Sequence, residues 1–182
     1  MMKTYMKFIA PAFTAAALFL ASSSNAQTST GGDSHATRLG VGLNVGVPTT
    51  DGFSFAIGGD LRLQKDFSSN ISGLLSAGYN SFQVKDSDGG GSWGYIPVKA
   101  GIKVFPIERF YISGELGAAF GTDDQGTAFV YAPGIGVGFN NGLDIGLRYE
   151  GMGNSKLNDT NIKINNPDQV ALRIAYGFNL GK

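Results

Sequence analysis

The sequence contains no cysteine, which removes disulfides and thiolate metal sites from any account of it. Charge is also scarce. Only 15% of the 182 residues are Asp, Glu, Lys or Arg, against about 25% in ordinary soluble domains. Acidic and basic residues balance, and none of the basic patches or stripes that nucleic acid requires is present. Histidine occurs once, at His35, which leaves no histidine-centred catalytic site to assemble. Beyond the first stretch of the chain there is no long apolar run, so membrane-spanning helices are excluded. Glycine, in contrast, is abundant: 28 residues, roughly twice the usual share. Few charges and many glycines indicate a surface that does not face water everywhere.

The first stretch has the layout of a secretory signal. Lys3 and Lys7 give a positive start, Phe8 to Ala21 is uncharged and apolar, and Ser24 and Ala26 are placed as the small pair of a cleavage site. Residues 1–26 are therefore expected to be removed after Ala26, leaving Gln27 as the new N-terminus. No cysteine follows the apolar run, so a lipid anchor is not expected. Loss of Lys3 and Lys7 leaves 156 residues with 12 basic and 14 acidic side chains, a size that suits one domain.

From Leu39 onward the chain alternates with a period of two, as a strand with two unlike faces demands. Leu39, Val41, Leu43, Val45 and Val47 alternate with Gly40, Gly42, Asn44 and Gly46. Seven further runs follow, with apolar sides starting at Phe53, Ile71, Ile96, Phe110, Phe129, Leu143 and Val170. None carries a charge on its apolar side, and each is close to the roughly 9–11 residues a tilted strand needs to cross a bilayer. In the third run Leu74 interrupts the polar side.

The connections alternate in length as well. Those after odd-numbered runs are expected at 48–52, 83–94, 121–128 and 151–169; those after even-numbered runs are Gln64–Asn70, Pro106–Arg109 and Asn140–Gly142. Barrels of bacterial outer membranes join strands by short periplasmic turns and longer external loops, and with a periplasmic N-terminus the parity agrees. A soluble eight-stranded barrel with its apolar side inward would alternate equally well. Its water-facing side, however, should be rich in Lys, Glu, Asp and Thr. Here the opposite side is largely Gly, Ala, Ser and Asn, which suits the narrow interior of an eight-stranded barrel. The expected fold is therefore all-β: an eight-stranded antiparallel up-and-down transmembrane β-barrel over 39–180, preceded by a periplasmic segment at 27–38. Aromatic residues are expected to form two girdles at the membrane interfaces. Phe105, Phe110, Phe139 and Phe178 are assigned to the periplasmic one. Phe53, Phe55, Tyr79, Trp93, Tyr95, Phe120, Phe129, Tyr131 and Tyr149 are assigned to the external one.

The stretches Tyr95-Ile-Pro-Val-Lys-Ala-Gly101, Phe110-Tyr-Ile-Ser-Gly-Glu-Leu-Gly117 and Tyr131-Ala-Pro-Gly-Ile-Gly-Val-Gly138 resemble the small outer-membrane β-barrel family. That porin-like group includes the membrane domain of outer membrane protein A. The resemblance covers roughly 39–180. It implies residence in the cell outer membrane, contact with its lipid and lipopolysaccharide, and assembly by the outer-membrane insertion machinery, which reads a C-terminal strand ending in an aromatic. Tyr176 and Phe178 supply aromatics there, followed by Leu180, Gly181 and Lys182. The chain stops at the barrel, so no appended peptidoglycan-binding domain is expected.

By parity Asp60, Arg62, Lys99, Lys103, Glu115, Asp144, Arg148, Glu150 and Arg173 project into the lumen. Burying charge there is costly unless it is paired, so a salt-bridge network is expected, with Lys99 facing Glu115 and Arg148 and Glu150 beside Arg173. Two functions follow: a plugged barrel with a structural or surface-interaction role in the envelope, or a small porin passing ions or small solutes. No enzyme activity, cofactor or metal is expected. Activated nucleophiles need an adjacent base, and the paired acids Asp123 and Asp124 read as solvated. The fragment Asp86-Ser-Asp-Gly89 lacks the closing acidic ligand of a calcium loop. The loops at 83–94 and 151–169 are the candidates for contacting an external partner, although their composition is also that of any solvated loop. Asn70-Ile-Ser72 and Asn158-Asp-Thr160 match a glycosylation pattern that carries little force in a bacterial barrel.

Overall fold

Each alternating run pairs with its neighbours in sequence, and the last returns to the first. The computed structural model describes residues 36–122, 126–153, 155–156, 163–164 and 166–180, and the structural statements below concern these. The expected secretory signal, His35, Asp123, Asp124 and the Asn158–Thr160 motif lie outside them.

The strands are β1 (Thr37–Pro48), β2 (Phe53–Asp66), β3 (Ile71–Val84), β4 (Ser92–Val104), β5 (Phe110–Gly121), β6 (Thr127–Gly138) and β7 (Leu143–Met152). A two-residue pair follows, β8 (Ser155–Lys156) with β9 (Lys163–Ile164), and then β10 (Gln169–Asn179). Strands β1 to β7 and β10 close into one barrel in which every neighbouring pair is antiparallel. Closure is made by β1 and β10, with Leu43 opposite Ile174 and Asn44 opposite Arg173. A closed barrel satisfies its backbone hydrogen bonds without an edge, the condition for crossing a bilayer with strands. This is the eight-stranded up-and-down barrel expected from the period of two.

The strands run further than the hydrophobic pattern suggested. Phe82 pairs with Trp93 and Gln83 with Ser92, so most of the expected 83–94 connection is strand, and only 85–91 turns, through a 3-10 turn at Asp86–Asp88. Likewise β2 continues to Asp66, leaving a turn at 67–70. The other two turns at that end are 105–109 and 139–142. In the latter, Gly142 takes a left-handed φ of 93°, which glycine adopts without the penalty of a Cβ. The opposite end carries 49–52, 85–91, 122–126 and the longest connection, 153–168.

Outward positions form an apolar belt. Val45, Leu61, Leu75, Ile102, Ile112, Leu116, Leu147 and Ile174 are all exposed. A water-soluble monomer rarely shows a contiguous apolar patch beyond a few hundred Å², whereas this belt runs around every barrel strand. Among the described residues of the barrel strands the one charge that points outward is Lys65, at the short-turn end, where its Nζ donates to Thr37.

Inside, the curvature is tight enough to dictate glycine. A Cβ at Gly101 would stand 2.7 Å from the Glu115 Cα, and one at Gly117 would stand 2.8 Å from the Lys99 Cα. At Gly42 the Cβ would fall 2.8 Å from Cζ of Arg173. The glycines of the polar face thus admit both a close neighbouring backbone and long charged side chains.

Candidate functional site: a charged and capped lumen

Three layers fill the barrel from the short-turn end upward. In the lowest, Arg38 of β1 forms an ion pair with Asp66 of β2. Gln64 Nε2 and Ser72 Oγ also donate to Asp66, at 2.9 and 2.6 Å. These groups come from the ends of β1, β2 and β3, where the antiparallel register sets Asp66 against Ser72.

The middle layer holds the nine charges that parity assigned to the interior. All are buried except Asp144, which is partly buried. Arg173 of β10 grips Asp60 of β2 with Nε and Nη2, at 3.0 and 2.6 Å, and approaches Asp144 of β7 at 3.5 Å. Lys103 of β4 donates to Asp144 at 2.7 Å and lies 3.9 Å from the ring centre of Tyr111, whose hydroxyl also donates to Asp144. Arg62 of β2 donates to Glu115 of β5 at 2.6 Å, and Ser76 of β3 donates to its other oxygen at 2.6 Å. Above them Glu150 of β7 accepts from Lys99 and from the Tyr95 hydroxyl. Asn80 and Gln169 also donate to Glu150, at 3.2 and 3.3 Å. Arg148 sits between two carboxylates, 3.9 Å from Asp60 and 3.6 Å from Glu150.

The pairing differs from the adjacent-strand reading. Lys99 lies opposite Gly117 and Glu115 opposite Gly101, so the register offsets the two charges. Lys99 instead reaches across the lumen to Glu150, and Glu115 is bonded to Arg62. Arg148 and Arg173 share Asp60. Most of these bonds join strands that are not neighbours in the barrel, β2 with β5 and β4 with β7. Such a brace resists flattening of the cross-section, and truncating either end leaves a charge stranded in a low-dielectric interior.

The top layer is apolar, and the sequence reading missed it. Phe82, Tyr95 and Val130 are fully buried inside the barrel, packed with Ala56, Ala119, Ala128 and Met152 and flanked by Phe53 and Trp93. Ring centres of Phe82 stand 5.5 Å from Phe53, 5.8 Å from Trp93 and 5.7 Å from Tyr95, within the range of favourable aromatic pairs. Phe53, Trp93 and Tyr95 were assigned to the external girdle. Trp93 and Tyr95 instead share the parity of Lys99 and face inward. Phe53 packs inward because an irregularity in the β2–β3 register between Phe53 and Phe55 turns it away from the outward Phe55. Phe105, assigned to the periplasmic girdle, is buried edge-on against Tyr111. Phe55, Tyr79, Phe120, Phe129 and Tyr131 do point outward near the long-loop end. Asn44, Asn80, Tyr111 and Gln169 were also missed as members of the polar layer. Tyr111 shares the parity of Glu115 and Gln169 that of Arg173, while Asn44 and Asn80 lie on the polar sides of their own runs, and those are the signals that identify them.

At the long-loop end the described residues are tied together around Asp168. Asp168 accepts from Tyr149 Oη and from the Met152 backbone N–H, each at 2.8 Å, and its own backbone bonds to Thr49 and Thr50. The final connection is thereby clasped to the first. At the short-turn end the lumen opens into a vestibule of about 70 Å³, lined by Arg62, Lys103, Asp144 and Arg173 with Ser69 at its rim. Chemically the arrangement holds charge in place. The two serine hydroxyls set against carboxylates, Ser72 beside Asp66 and Ser76 beside Glu115, are both buried within the network. Among the described residues no group of three His, Asp or Glu is placed to hold a metal ion.

Comparison with known proteins points the same way. A family model described as outer membrane protein beta-barrel domain matches residues 13–178. Among solved structures, Ail, the attachment invasion locus protein of Yersinia pestis, is 18% identical with a TM-score of 0.53, over 81% of this chain and 100% of that one. The N-terminal β-barrel domain of Pseudomonas aeruginosa OprF is 12% identical with a TM-score of 0.53, over 79% of this chain and 99% of that one. At these identities the likeness concerns the fold. No curated protein sequence matches the chain.

Proposed function

The chain belongs to the outer membrane protein beta-barrel family, and from that premise we propose that it acts in the outer membrane as a plugged barrel, a structural or surface-interaction protein rather than a channel or an enzyme. One observation carries this reading: the lumen is occupied by cross-strand ion pairs and then by a stopper of Phe82, Tyr95, Val130 and Met152. Charges paired across a barrel rigidify its core, and an aromatic layer above them excludes water from any path.

On this reading residues 1–26 carry the chain across the inner membrane and are removed. Its partners are outer-membrane lipid and lipopolysaccharide along the apolar belt, with the insertion machinery during assembly. The long-loop connections, including the remainder of 83–94 and 151–169, offer a surface for an external partner. A second reading, a small porin, draws on the vestibule at the short-turn end. Liposome swelling separates the two. Vesicles carrying the refolded protein should shrink and recover in small sugars and amino acids no faster than empty vesicles. Swelling that accelerates with protein content, and falls off with solute size, would establish the porin.

A further inference from the structure

The inward-facing charges do not balance. On the described strands six buried cations meet five carboxylates, an excess of one positive charge inside a barrel wall of low polarity. An enclosed charge without a counter-charge is costly. Each of these cations meets a carboxylate within 4 Å, but Glu115 and Asp60, the partners of Arg62 and Arg173, lie outside the lining of the open vestibule, which is left with more cations than carboxylates. Four of the cations, Arg38, Arg62, Lys103 and Arg173, line the vestibule, together with only two carboxylates, Asp66 and Asp144. Arg62 is 5% exposed and spends Nη2 on Glu115, but its Nε has no hydrogen-bond acceptor. Deeper in, Nε and Nη1 of Arg148 are likewise without acceptors. Buried donors with nothing to donate to mark a place that an acceptor should fill.

We infer that the vestibule at the short-turn end is a binding site for a small inorganic anion of the phosphate or halide type, entering from the periplasmic side. The space is of the right order. A water needs roughly 10–15 Å³ on this measure, so about 70 Å³ admits several waters or one small oxyanion. The field favours it too, because cations set in a low-dielectric wall focus potential into the cleft they line. Ser69 stands exposed at the rim, its hydroxyl donating to Asn70 at 2.9 Å. The inference is independent of whether the lumen conducts, since the site fills from one end.

Titration calorimetry tests it, with inorganic phosphate added to the refolded protein in a nonionic, phosphate-free detergent and a bulky organic counter-anion. Saturable one-site binding is expected. Lys103→Met removes a vestibule cation and brings the described lumen to neutrality, and should weaken binding by at least about tenfold, ~1.4 kcal/mol. Ser69→Glu places a negative charge at an exposed rim position that touches no buried ion pair, and should weaken binding about fivefold. That rim variant decides the matter if Lys103→Met does not assemble. Absence of saturable binding at every phosphate concentration tried, or wild-type affinity in both variants, overturns the site.

Discussion

Removing the charge of Glu150 probes the lumenal brace where it is most enclosed. Glu150 is fully buried, pairs with Lys99, accepts from Tyr95, Asn80 and Gln169, and stands 3.6 Å from Arg148. Glu150→Gln keeps the shape and strands Lys99 in the interior, and breaking one partner of a buried pair costs about 3–5 kcal/mol. Lys99→Met strands the carboxylate instead, but three neutral donors and Arg148 remain around it, so the cost should lie near the lower end, about 3 kcal/mol. The double variant removes both charges and leaves neither stranded. Replacing a whole buried pair is often close to neutral, so the two losses should not add, and the cycle should show a coupling of at least about 2 kcal/mol. Urea unfolding in lipid vesicles measures each value. Trp93, the only tryptophan, reports directly because its ring centre lies 5.3 Å from that of Tyr95. Additive losses in the double variant would refute the claim that Lys99 and Glu150 stabilise the barrel as a pair.

Other expectations follow from the same geometry. Gly101→Ala drives a Cβ to 2.7 Å from the Glu115 Cα and should abolish the compact, fast-migrating band of the unboiled protein on a denaturing gel, whereas Gly114→Ala, with nothing within 4 Å, should leave that band unchanged. Leu116→Arg puts a charge on an outward mid-strand position that is 59% exposed; it should cost about 2–4 kcal/mol in urea unfolding from a bilayer. Phe82→Ala empties the centre of the stopper and should cost about 3–5 kcal/mol while shifting Trp93 emission to the red; an unshifted spectrum would argue that the ring does not shield the indole.

Much of the fold could be read from residue order, because the side-chain period of a strand converts directly into faces. Leu43 and Asn44 point to opposite sides for that reason alone. What failed was the use of parity near strand ends. Ending the third run at Asn80 left Phe82 unassigned and starting the fourth at Ile96 left Trp93 in the 83–94 connection, although Phe82 keeps the parity of Asn80 and Trp93 that of Lys99. Aromatic type then outweighed parity for Tyr95, and the stopper went unseen. The ion pairs were hidden for a different reason. Sequence proximity reveals neighbours in adjacent strands, as in the β4–β5 hairpin, whereas Lys99 with Glu150 and Arg62 with Glu115 span the lumen. Such partners depend on the stagger of the closed barrel, which residue order does not encode locally. The excess cation, by contrast, was countable from the sequence, since the nine charges assigned to the lumen already comprise five cations and four carboxylates.

Single-channel recording in a planar bilayer bears most directly on the filled lumen. The account predicts silence from the refolded protein across a wide voltage range, with conductance events no more frequent than in protein-free membranes. Discrete, reproducible conductance steps from the unaltered protein would contradict it, since the proposed plug places the Glu150 layer and the rings of Phe82 and Tyr95 across the lumen.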